Sequence, residues 1–344
     1  MSVQPSIRFA AIGLNHDHIN GMTQLLIDAG GELVWVYAEE PELLADYRKR
    51  FPQAQPAVSW AQVLEDESIH LVISAAIPSD RAAVGVAALR HGKDFMSDKP
   101  GFTTAAQLED ARRVQAETGR IWSINYSERF ENRATEKAGE LVRNGAIGTV
   151  IQTVGLGPHR RRFPTRAPWF FQRERFGGIL NDIASHQIDQ FIHFTQAETV
   201  EVVASQVANF HHPQYPEFED FGDVMLRGPA CTGYIRVDWF TPDGMSAWGD
   251  TRLVVIGTEG TIEVRKNVDV AGRAGGNHLF LIDNQSEQYI DCAQVELPYG
   301  PRLIHDIVNR TETAMDQDHC FWVTELALQA QAQAARLGHL ADTE

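Results

Sequence analysis

Ile7-Arg-Phe-Ala-Ala-Ile12-Gly13-Leu-Asn15-His16-Asp17-His18-Ile-Asn-Gly21 is a short apolar run that ends on a glycine and opens into a helical pattern. Similar β-rich runs recur at residues 33–37, 70–76, 94–97 and 121–125, with helical patterns between them. Two of those helices, at 80–91 and 104–118, are followed by Gly92 and Gly119, where a left-handed C-terminal cap is wanted. Strands that alternate with helices predict a parallel, doubly wound α/β sheet over residues 1–126. Beyond Tyr126 the texture changes. A helix near 131–143, a strand near 149–154, a Pro- and Arg-rich loop over 157–178 and a helix over 179–194 lead into successive alternating runs at 200–207, 223–226, 232–240, 253–256, 261–264 and 278–282. These predict an α+β domain over 127–344 with a large, mainly antiparallel sheet.

A length of 344 residues suits two domains. The net charge of −16 disfavours a nucleic-acid or anionic-membrane surface, since counterion release needs clustered Lys and Arg. Cys231, Cys292 and Cys320 are odd in number and widely spaced, as reduced thiols would be. No basic-then-apolar leader opens the chain and no run approaches membrane-spanning length, so cytoplasmic residence is expected.

The Gly13 turn stands where a dinucleotide-binding fold carries G-x-G-x-x-G, whose glycines let backbone approach a pyrophosphate at a helix N-terminus. Only the first glycine is kept. Asn15 can hold a left-handed conformation nearly as well as Gly, so the turn is compatible with the motif. His16 and His18 could donate to a pyrophosphate, whereas Asp17 would repel it. The ribose-binding acid is expected roughly 20 residues on, where Ala38-Glu39-Glu40 ends the second strand, and Glu39 is the candidate. With no Arg or Lys adjacent to take a 2′-phosphate, NAD is favoured over NADP. A plain strand–helix turn without ligand is the alternative.

Asp98-Lys99-Pro100 closes the run at 94–97, and a lysine held by Pro100 at the carboxyl edge of a parallel sheet lies where such sheets bind ligands. Downstream, Gly177-Gly178-Ile-Leu-Asn-Asp182-Ile-Ala-Ser-His186 puts a carboxylate and an imidazole four residues apart, on one helix face. Lysine, carboxylate and imidazole together can move a proton off an alcohol. Read singly, each is an ordinary surface residue. Asp182, His186, Asp189 and His193 also form a stripe that a zinc ion could use, but a helical metal site needs further ligands at defined geometry, and no metal is expected.

These motifs resemble the glucose-fructose oxidoreductase, inositol dehydrogenase and rhizopine-catabolism (Gfo/Idh/MocA) family. Its Glu-Lys-Pro is matched by Asp98-Lys99-Pro100, and its Gly-Gly-x-x-x-Asp-x-x-x-His helix by 177–186. Asn125-Tyr-Ser-Glu-Arg129-Phe130, Arg143-Asn-Gly145-Ala-Ile-Gly148 and Gly257-Thr-Glu-Gly260 agree as well. The resemblance implies a Rossmann-type first domain that binds NAD or NADP, and oxidation of a ring or secondary hydroxyl of a sugar, polyol or inositol-like substrate. It implies Lys99, Asp182 and His186 as the catalytic set. Cofactor contacts are implied for Gly13, Asn15, His16, His18, Glu39, Ala76, Pro78, Asp98, Lys99 and Asn125. Asn15, His18 and Ala38 depart from the pattern, and Arg81 stands where many members have His.

His159-Arg160-Arg161-Arg162-Phe-Pro-Thr-Arg166-Ala-Pro-Trp169 precedes the Asp182–His186 helix. Arg160, Arg166 and Arg129 are candidates to hold an anionic or polar substrate group, with pairing to the chain's own carboxylates as the alternative. Trp169, Trp239 and Trp248 could stack on a sugar ring or simply fill a core. The antiparallel sheet is expected to form a homo-oligomer interface. Two other functions stay open: a non-catalytic nucleotide- or sugar-binding regulator, favoured by the altered glycine turn, and a lyase or isomerase that uses bound NAD for transient oxidation.

Overall fold

The computed structural model describes residues 7–338, which divide into two compact units. The first contains residues 7–125 together with Arg175–Gly177 and Pro298–Thr324. Its strands are β1 (Arg8–Ile12), β2 (Glu32–Tyr37), β3 (Gln55–Pro56), β4 (Leu71–Ser74), β5 (Asp94–Asp98) and β6 (Trp122–Asn125). They form one parallel sheet in the order β3-β2-β1-β4-β5-β6. This is the doubly wound dinucleotide-fold order, which reverses between β1 and β4 and opens a crevice at their carboxyl ends. Both faces are covered, so β4, β5 and β6 are buried throughout and read as continuous runs rather than alternating ones.

Helices α1 (His18–Asp28), α2 (Pro41–Arg50), α3 (Trp60–Glu65), α4 (Pro78–Arg90) and α5 (Ala105–Thr118) connect the strands. Their ends obey local chemistry. Thr104 and Gln107 form a reciprocal capping box at the start of α5, and Gly119 ends it at φ 61°. Helix α4 starts earlier than residue 80 because Pro78 occupies its first position, where a missing N–H costs nothing.

The sequence assigned everything beyond residue 126 to the second domain, yet Pro298–Thr324 folds with the first. The reason is packing that no local pattern encodes. In α10 (Tyr299–Asn309), Gly300 sits close against Leu25 and Ala29 of α1. The Tyr299 hydroxyl pairs with that of Ser123 at 2.7 Å. Gln317, which opens α11 (Gln317–Gln333), bonds both backbone groups of Trp122 at 2.7 and 2.8 Å.

The second unit holds the short helices α6 (Ser127–Phe130) and α8 (Arg173–Phe176, in part), α7 (Arg133–Arg143) and α9 (Ser185–Thr195). Its nine-stranded sheet has β7 (Val150–Pro158), β8 (Glu201–Ala208), β9 (Phe221–Arg227), β10 (Thr232–Asp238), β11 (Arg252–Gly257), β12 (Gly260–Arg265), β13 (His278–Asp283), β14 (Glu287–Asp291) and β15 (Ala335–Arg336). The order is β14-β13-β12-β11-β7-β10-β9-β8-β15, with β7–β10 and β8–β15 parallel and the other pairs antiparallel. Strand β14 lies beyond the last predicted run. Helix α9 packs on one face of the sheet, where Gly155 and Gly157 of β7 leave room for the Gln187 side chain. No helix among the described residues is long and apolar enough to cross a membrane.

Candidate active site

In the first unit, Gly13 ends β1 at φ 80°, and a Cβ there would lie 2.5 Å from that of Ala76. Only glycine permits this approach of the ends of β1 and β4, which is the cradle a pyrophosphate needs. Asn15 does not use the left-handed conformation open to it; the positive φ of this turn is at Gly13. The Asn15 side chain instead donates to the Glu40 carboxylate at 2.7 Å. Glu39, the expected ribose acceptor, is exposed just beyond β2, and its neighbour Glu40 is the acid bonded to the Asn15 side chain. Ala76 and Pro78 are buried where β4 hands over to α4.

Asp98 is the electrostatic centre of this region. It is fully buried, with one oxygen 2.8 Å from His18 Nδ1 and the other 3.2 Å from Arg81 Nη2 and 3.4 Å from His16 Nδ1. Burial alone would raise its pKa, but His18, Arg81 and His16 together hold the carboxyl well below the usual range. His16 is also held well below its usual range. Burial, then the charges of His18, Lys99 and Arg81, outweigh the pull of Asp98 and keep its imidazole neutral. Two imidazoles and a carboxylate this close could surround a cation. The guanidinium already on Asp98 makes them a hydrogen-bonded network instead.

Lys99 is buried at the carboxyl end of β5, and its bond to Pro100 is cis. Asn125 is buried at the same end of β6, opposite Asp98 in register.

In the second unit, the helix expected over 179–194 is not uniform. Leu180–Ala184 form a π-turn, and regular α-helix runs from Ser185. Over four residues an α-helix overshoots a full turn; the wider π-turn takes back part of that, which favours one face for Asp182 and His186. Gly177 and Gly178, at φ 89° and 90°, lead into it. A Cβ on Gly178 would fall 2.3 Å from the Gln331 amide.

That amide is where the first-turn donors go. Gln331 Oε1 accepts from Leu180 N at 2.8 Å, and the buried Glu219 carboxylate accepts from Ile179 N at 2.9 Å. Glu219 also takes a bond from Gln331 Nε2 at 3.1 Å and lies 3.5 Å from Arg173 and 3.3 Å from Arg336. The helix that carries Asp182 and His186 is thus capped from 40 and 151 positions away, by residues that sequence reasoning missed. Their only prior signal was composition, since Glu and Gln are everywhere. His186 is buried with its ring 6.3 Å from that of Tyr126, while Asp182 is half-buried.

The expected substrate arginines have internal partners. Arg129 grips Asp189 with both arms, at 2.7 and 2.6 Å, and stacks over Phe130. That carboxylate is thereby lost to the metal stripe considered above. Arg160 donates to the carbonyls of Pro242 and Met245. Arg166 lies over the rings of Phe170, Trp239 and Trp248 at 4.3, 5.0 and 5.3 Å. The arginines of this loop thus bond carbonyls and aromatic faces, and Arg160 also lies 3.7 Å from the Asp243 carboxylate. Trp169 is half-buried, edge-on to Phe170.

Residues 135–263 match the model of the GFO/IDH/MocA C-terminal domain. A provisionally named oxidoreductase from Erwinia carotovora atroseptica SCRI1043, known from its crystal structure, is 48% identical over 96% of this chain and 100% of its own, with a TM-score of 0.94. This chain belongs to the Gfo/Idh/MocA family of oxidoreductases. Among curated relatives, scyllo-inositol 2-dehydrogenase (NADP(+)) IolW of Bacillus subtilis (strain 168) is 27% identical over 47% of this chain and 45% of its own. Levoglucosan dehydrogenase of Pseudarthrobacter phenanthrenivorans is 27% identical over 43% and 39%. The chain thus spans less than half the length of either curated relative it matches.

Proposed function

We propose that this protein is an NAD(P)-dependent dehydrogenase that oxidises a ring or secondary hydroxyl of a sugar, polyol or inositol-like compound to a ketone, or runs the reverse reaction. The observation that carries this reading is a buried lysine at the carboxyl end of β5, in a sheet whose strand order creates a dinucleotide crevice at that edge. The glycine-only approach of Gly13 to Ala76 fits a pyrophosphate, and Glu40 or Glu39 fits a ribose diol. The dinucleotide, held by the Gly13 turn and by Glu40 or Glu39, would supply the hydride acceptor. His186 takes the hydroxyl proton as general base. Lys99 donates a hydrogen bond to the same oxygen and stabilises its developing charge, and Asp182 orients the substrate. The inositol relative carries NADP(+) in its name; here two acids and no base follow β2, which favours NAD.

The test is calorimetry with NAD and NADP, followed by a screen of cyclic polyols and sugars for cofactor reduction. NAD should bind more tightly. Replacing Glu40 by Ala should weaken it about tenfold, the loss of roughly 1.5 kcal/mol that goes with a charged hydrogen bond. No binding of either dinucleotide would sink the proposal. A second reading, a binder without turnover, is favoured by the fingerprint itself, where His18 fills a glycine's place and is tied to Asp98. Binding without reduction of any substrate would select it.

The sheet face opposite α9 supports self-association. Met225, Tyr234, Val154 and Val254 follow one another in register across β9, β10, β7 and β11, and Met225 and Tyr234 are exposed. We infer a homo-oligomer through this face. Sedimentation of wild type should give more than a monomer, and Tyr234→Glu with Met225→Glu should give a monomer. An unchanged mass for the double variant would overturn the inference.

A further inference from the structure

We propose that Arg81 is the positioning residue for Lys99, a role that rests on the dehydrogenase reading of Lys99 given above. Arg81 comes from the first turns of α4 and its side chain is fully buried. A buried guanidinium must spend its donors inside the protein, and the partners are what point to its role. Nη1 donates to three consecutive carbonyls, those of Asp98, Lys99 and Pro100, at 3.1, 2.6 and 3.0 Å. Nε donates to the Ala76 carbonyl at 2.7 Å, and Nη2 to the Asp98 carboxylate at 3.2 Å.

One planar group therefore joins the carboxyl ends of β4 and β5 and grips the backbone on both sides of the Lys99 Cα. The root of the lysine side chain is fixed in place and direction. The second Asp98 oxygen holds His18, so the same guanidinium also orders the first turn of α1. Charge balance for Asp98 would need only a cation beside the carboxylate, yet Nη1 and Nε of Arg81 donate to carbonyls. A lysine offers three donors from one point and cannot span the two strand ends.

Arg81→Lys separates position from charge, because it keeps the charge and removes the fork. Displacing a reacting group by about an ångström costs on the order of 10²-fold in rate. Arg81→Lys should therefore lower kcat by about that factor, with KM little changed. Arg81→Lys added to Lys99→Met should cost no more than about twofold beyond Lys99→Met alone, since a residue that acts through Lys99 has nothing left to position. Amide exchange over residues 94–103 should also accelerate in the cofactor-free protein.

Undiminished kcat in Arg81→Lys, or two losses that multiply, would overturn the proposal. If Lys99→Met alone left kcat intact, the catalytic reading of Lys99 would fall. The exchange measurement would then decide by itself, and unchanged exchange would overturn the positioning role. Should Arg81→Lys fold poorly, Arg81→Gly with added guanidinium ion gives the second measurement. Recovery of about tenfold or more in kcat is expected, and no recovery counts against the proposal.

Discussion

His186→Ala should lower kcat by about 10²-fold or more, the usual cost of losing a positioned general base, while NAD(P) binding measured by calorimetry stays within about twofold, less than 0.5 kcal/mol. The imidazole is buried on α9 beside Tyr126, and the turn before it is held by Glu219 and Gln331. Its position is thus set before substrate arrives, which is the condition for efficient proton transfer. His186→Gln, which keeps polarity without a basic nitrogen, should be nearly as slow. A loss below about threefold, or cofactor affinity falling in step with rate, would remove His186 from the role of base. Asp182→Asn tests its neighbour by keeping shape and removing charge. A large fall in kcat would mark an electrostatic contribution from that carboxylate.

Asp189→Ala should be the most destabilising single change discussed here. The Arg129–Asp189 pair is bidentate, with the Asp189 side chain fully buried and that of Arg129 10% exposed. Removing one partner of such a pair costs about 3–5 kcal/mol, chiefly because the other charge stays buried without it. For a unit of this size the melting temperature should fall by roughly 6–20 °C. Arg129→Met combined with Asp189→Leu should recover much of that, since an apolar pair leaves no charge stranded. The double variant also decides what Arg129 does. If it melts near wild type and keeps its KM, the arginine works inside the fold; a KM raised tenfold in a well-folded double variant would return it to the substrate, where the sequence had put it.

How far each residue could be read in advance depended on the distance to its partner. Thr104 and Gln107, three positions apart, announce the capping box of α5, and Gly13, Gly92 and Gly119 mark left-handed turns that their own backbone demands. Parallel pairing in the first unit followed from alternation, because a parallel strand needs a helix-length crossover. The motif residues Lys99, Asp182 and His186 could be named because glycine and proline beside them have recognisable conformational effects. At Asn15 local tolerance left the backbone conformation open, while a carboxylate 25 positions away claimed its amide.

The chain by itself determined where backbone bends, caps and crosses over, since those outcomes are settled among a few neighbouring residues by sterics and short hydrogen bonds. What the tertiary structure decided was the destination of every buried charge and amide. Arg81 on the Lys99 turn, Asp189 on Arg129, Glu219 and Gln331 on the start of the helix that carries Asp182 and His186, and Pro298–Thr324 with the first unit all belong to this set. A group taken out of water must find a partner, and any of the chain's 46 acids could in principle serve any of its 30 Lys and Arg residues. Only the packed fold, by bringing distant residues to hydrogen-bonding distance and excluding water from the rest, selects which pairs are made.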